Sequence, residues 1–190
     1  MPAVVLCLVA LLAGDAPAED RPTMRQLPAS AALPKPPSQR DLVDARAILK
    51  TRFKAALSHT ETAAGARTAA DTLLAAAHEE RQPALKWLLL DEARRLGAAA
   101  GSAEIVSRAV TLMSAVYDVD ELAIELESLT EIPLRPLDPA RATRLAEAAE
   151  RIATRADTDG REDLAADARH LAFKAWQRAG NTAAARRVAM

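Results

Sequence analysis

The chain has 190 residues, half of them hydrophobic, and balances 25 Lys and Arg against 26 Asp and Glu. That length suits one domain, and the two signs are interleaved, so no basic stripe forms and nucleic acid is not an expected partner. The one cysteine, Cys7, sits in the N-terminal apolar run, so a processed chain has no disulfide and no thiolate metal site.

Alanine supplies much of the hydrophobic share, and aromatics make up only 3%. Alanine is the best helix former but buries little area, so stability must come from close approach of helices. An all-α fold follows.

Ala3 to Ala13 is an uninterrupted apolar run, broken by Gly14 and Asp15 and followed by the small-x-small triplet Ala16-Pro17-Ala18. The pattern is that of a signal peptide over residues 1–18, with cleavage after Ala18 and a periplasmic or secreted product. The run is too short to span a bilayer, which takes roughly 20 apolar residues, so no membrane span is expected in the mature form. Residues 19–39 hold Pro22, Pro28, Pro34, Pro36 and Pro37 and read as a disordered, proline-rich linker.

About seven helices are expected over residues 40–190. Ser38 and Asp41 signal the first start, with Leu42, Leu49, Phe53 and Ala56 at helical spacing. A second helix is predicted from Thr62 to Glu79, with Ala66, Ala70, Leu73 and Ala77 inward. Pro83 opens a third at a tolerated first-turn position, and its run Trp87-Leu88-Leu89-Leu90 makes it a central helix. Gly101 and Ser102 read as C-cap and N-cap around the next boundary. The fourth helix carries a wide stripe from Ile105 to Tyr117.

A short fifth helix follows the acidic cluster Asp118 to Glu121, with Leu122, Leu126 and Leu129 on one face. The segment Ile132 to Leu137 breaks the pattern, and Asp138-Pro139 restarts it as a cap and a first-turn proline. Helix six presents Leu145, Ala149, Ile152 and Ala156. After a turn at Asp157 to Gly160, helix seven runs through Trp176 to Gly180, and the tail has room for about two more turns. Pro133 to Pro139 is the one internal candidate boundary, yet both sides are small, so one continuous stack is expected.

No chemistry is signalled. His59 and His78 fall in the last turns of predicted helices, where a cation meets the negative end of the helix dipole. His170 lies between alanines and Phe173, with no second ligand at metal-site spacing. Asp118, Asp120 and Glu121 lack the further oxygen ligands and turn glycine of a calcium loop, so they read as caps. Asp91 and Arg95 are at ion-pair spacing on the third helix. There is no G-x-S-x-G elbow, phosphate-binding glycine loop or HExxH motif. No catalytic residue, metal or cofactor is assigned.

One phrase recurs. Leu85 to Leu96, closing at Gly101, returns as Leu164 to Trp176, closing at Gly180. Leu89, Ala93 and Gly101, then Ala168, Ala172 and Gly180, resemble tetratricopeptide-like helical hairpins and the alanine-rich helical regions of secreted bacterial proteins. The resemblance implies stacked antiparallel hairpins and a role in holding a protein or peptide. Trp87, Tyr117 and Trp176 are the candidate partner-binding residues; the alternative for the two tryptophans is core filling. The expected function is an exported, noncatalytic mediator of protein contacts in the cell envelope. A small-ligand or sensory module, and then an enzyme without a recognisable motif, are the alternatives.

Overall fold

The computed structural model describes residues 32–189, and within them the chain is all-helical. The signal-peptide and cleavage expectations, the linker up to Ala31 and the final Met190 lie outside the described residues. Nine helices follow in order: α1 (Asp41–Arg52), α2 (Lys54–Leu57), α3 (Ala63–Glu79), α4 (Pro83–Ala99), α5 (Ala103–Ser114), α6 (Glu121–Thr130), α7 (Pro139–Thr158), α8 (Glu162–Ala179) and α9 (Thr182–Val188).

Nine rather than seven helices arise from two local events. The first predicted helix breaks at Phe53, which turns its ring into the core and leaves helical geometry at φ −108° and ψ 15°. Beyond it, the Ser58 and Thr60 hydroxyls donate to the carbonyls of Ala55 and Leu57, ending α2 after one turn. His59 therefore lies past a helix end rather than in a last turn. The second addition is the tail, which forms α9 because the Asn181 carboxamide accepts from the Ala184 N–H as an N-cap.

Other starts follow the sequence signals. Thr62, Ser102, Asp120 and Asp138 each accept a backbone N–H three residues on. Ser38 and Asp41 bond reciprocally, side chain to backbone N–H, in a capping-box arrangement at the head of α1. Gly101 and Gly180 have φ of +67° and +78°, the left-handed geometry that ends a helix and that a Cβ disfavours.

The core has two apolar clusters that share α5 and, through Ala98, the end of α4. Ile105, Ala109 and Met113 face the cluster built by α1, α3 and α4. Val106 and Val110, on the adjacent side of α5, face the cluster built by α6, α7, α8 and α9. α4 packs against α1, α3, α5 and α6, the central position that its Trp-Leu-Leu-Leu run predicts. The most extensive pairing is α7 with α8. Their seam holds Ala142, Ala146, Ala149 and Ala156 against Ala165, Ala168, Ala172 and Ala175, all fully buried. Small side chains let the helix axes approach, so contact area replaces side-chain bulk.

The proline break is no boundary. Ile132 and Leu137, at its two ends, are both buried in the second cluster. At the other end of the described chain, the Pro34 carbonyl accepts the Asp118 N–H at 2.8 Å, which fastens residues 32–37 beside the α5–α6 turn. No helix among the described residues is long and apolar enough to cross a membrane.

Candidate functional site

The strongest site is a groove of about 720 Å³, open to solvent, between α6 and α8. α6 contributes Ala123, Leu126, Glu127 and Thr130; α8 contributes Asp167, His170, Leu171 and Lys174. Each set has the i, i+3, i+4, i+7 spacing that puts four residues on one helix face. Leu126 and Leu171 form an almost fully buried floor. Ile132, Pro133, Leu134 and Arg135 close the end at which α6 stops. That segment holds its shape because its proline rings fix φ and its buried Ile132 and Leu137 pin it from below.

The opposite face of α6 is held by polar contacts. The Arg94 guanidinium donates to the Ser128 hydroxyl at 2.6 Å, and that hydroxyl donates to the Ile124 carbonyl at 2.5 Å. Ser107 donates to the carboxylate of buried Glu125 at 2.5 Å. Arg155 pairs with Glu121 at 2.9 Å, and that pairing raises the arginine's pKa. At the head of the helix, Asp120 caps Ala123 and receives both terminal nitrogens of Arg161, the residue preceding α8. Those arginine hydrogen bonds, more than the caps, hold the Asp120 carboxyl below its ordinary value. The two walls of the groove are thereby tied together at one end.

Its rim is different. The side chains of Glu127, Arg135, Asp167, His170 and Lys174 enter no hydrogen bond or ion pair among the described residues. Elsewhere charges do pair: Asp91 binds Arg94 at 2.9 Å, and Arg95 binds Glu92 at 3.1 Å. The expected Asp91–Arg95 pair is not made, because Arg94 turns toward α6 and draws Asp91 with it. A second cleft, of about 770 Å³ between α3 and α5, is crossed by the Arg108–Asp71 ion pair at 3.3 Å.

The candidate aromatic residues fall in two places. Trp87 and Tyr117 meet edge to face, with ring centroids 5.1 Å apart and planes at 89°. Tyr117 is buried and donates its hydroxyl to the Pro83 carbonyl at 2.6 Å, and burial raises its pKa. Trp176 is buried in the other cluster and donates its indole N–H to Glu150 at 2.8 Å. None of the three lines the α6–α8 groove. Tyr117 borders a separate cleft of about 620 Å³ with Pro34, His78 and Lys86.

His170, read from sequence as a lone ring, stands in the groove with Asp167 and Glu127. No hydrogen bond joins these three groups. No set of three or more metal-ligating side chains forms among the described residues. The acidic cluster from Asp118 to Glu121 is used for capping and ion pairing, through Asp120 and Glu121. Sequence reasoning missed the groove, since Leu126 and Leu171 each read as ordinary core positions on separate helices.

In comparisons with protein-family models, with curated proteins and with solved structures, nothing matches this chain.

Proposed function

We propose that the protein is an exported, noncatalytic helical scaffold that holds an apolar segment of a partner protein in the α6–α8 groove, within the cell envelope. One observation carries this reading: an open groove with a leucine floor and a rim of charges that make no partner within the fold. Apolar anchors in such a groove supply affinity, and rim charges select among partners. The tetratricopeptide-like phrasing of the sequence and the signal-peptide pattern of residues 1–18 point the same way.

Two measurements test it. The native protein is isolated from fractionated cells and its N-terminus sequenced; an envelope protein starting at Glu19 is expected, and an intact chain in the cytosol contradicts export. The partner recovered with wild-type protein should be lost with Ala123→Arg, which fills the groove from a half-buried wall position. Recovery unchanged by that substitution contradicts the groove.

A catalytic reading is the second one, favoured by His170 standing in one cleft with Asp167 and Glu127. Its test is His170→Ala against wild type in a panel of esterase, phosphatase and peptidase substrates. Turnover abolished by that change supports it, and turnover absent from both proteins sinks it.

A further inference from the structure

The rim of the groove changes charge along its length, from Asp167 at one end to Arg135 and Lys174 at the other, and the geometry points to its occupant: a polypeptide C-terminus, with apolar side chains on the floor and its free carboxylate at the closed end. This inference rests on the groove reading above and narrows it. Asp120 and Arg161 join the starts of α6 and α8, and both helices run away from that pair toward the closing loop. Asp167 therefore lies at the open end and Lys174 at the closed end, seven residues and ~10 Å farther along α8. The closing loop adds Arg135 beside Lys174's end of the groove. Glu131, which also sits at the end of α6, does not line it.

The closed end thus gathers two cations, and both lack an internal partner. A terminal carboxylate is the anion that fits a blind end, because an internal peptide segment would have to continue through the loop. At the open end, Asp167 faces the stretch of chain that leaves the groove, which favours Lys or Arg upstream of the apolar tail, while Glu127 stands at mid-groove, level with His170 and Leu171. A fatty acid shares the carboxylate but fits less well. The groove is short and open, so a long acyl chain would remain in water, and the acidic open end would have nothing to bind.

The test uses the protein with the groove intact and a pool of fluorescent decapeptides. Each carries two lysines and then four variable apolar residues, made once with a free C-terminus and once as the amide, with decanoate as competitor. The free-acid pool should bind at least ~10-fold more tightly than the amide pool, the worth of one charge-assisted contact. In Arg135→Gln combined with Lys174→Gln, both at exposed positions, the acid and amide pools should bind equally, the preference for the free acid being lost. Ala123→Arg should remove both.

Equal binding of acid and amide pools overturns the carboxylate assignment while leaving the groove reading in place. Binding of neither pool overturns both. Full displacement by decanoate at equal concentration overturns a polypeptide occupant in favour of an acyl carboxylate.

Discussion

Asp120 accepts both terminal nitrogens of Arg161, at 2.8 and 2.6 Å, and also caps α6 through the Ala123 N–H at 3.1 Å. One side chain therefore starts one wall of the groove and ties it to the residue that precedes the other wall. The pair is partly exposed, so its charge adds little to stability, but its two-pronged geometry fixes the relative placement of α6 and α8.

Asp120→Asn separates these roles. Asparagine caps almost as well as aspartate, so only the partly exposed ion pair is lost, at a small cost. Asp120→Ala removes the cap too, for a further ~0.5–2 kcal/mol. Because Arg161 depresses the folded-state pKa of Asp120, its contribution is present above the ordinary carboxylate pKa and disappears as pH falls through the folded value. Urea midpoints of wild type and Asp120→Asn should differ at neutral pH and converge in acid. A constant difference across that range contradicts the assignment.

Tyr117 is the single tyrosine of the chain, so its ionisation can be followed alone by absorbance. Burial raises its pKa, and the folded protein should titrate above the midpoint of the urea-unfolded protein. The sign for stability follows. The contribution is complete below the unfolded-state value and is lost as pH rises toward the folded one. Tyr117→Phe removes the bond to the Pro83 carbonyl and should cost about 0.5–1.5 kcal/mol. Coincident folded and unfolded titrations would show the hydroxyl to be free.

Trp87 packs against one core cluster and Trp176 belongs to the other, with α5 common to both. Trp87→Phe and Trp176→Phe leave one reporter per cluster. Both should give the same denaturation midpoint once each variant's own stability change is allowed for. Met113→Ala, in the first cluster alone, should cost about 2–5 kcal/mol and lower the Trp176-reported midpoint as much as the Trp87-reported one. A Trp176 transition unmoved by Met113→Ala would mean two independent units.

What was legible in the sequence was local. Caps such as Asp138-Pro139 and Gly180 act over one turn, and their residue types identify them without knowledge of the fold. The centrality of α4 was visible for the same reason, because an all-round apolar run has to be covered. The break at Phe53 was not, since helical spacing continues through it and only tertiary packing turns the ring inward. Nor was the swap of Asp91 from Arg95 to Arg94, which Ser128 on another helix dictates. The groove depends on which two helices lie side by side. Leu126 and Leu171 carry no mark of their proximity, and the closing proline segment read as a possible domain boundary rather than a wall.

Position-specific photo-crosslinking in the native cells tests the central claim most directly. A photoreactive residue is placed at exposed Thr130 in the groove, at Val43 on the outer face of α1, where the side chain is 61% exposed, and at Thr72 on α3. An adduct at Thr130, absent at Val43 and Thr72 and abolished by Ala123→Arg, is the predicted result. Adducts at Val43 in place of Thr130, or a Thr130 adduct indifferent to Ala123→Arg, would contradict the groove as the docking site.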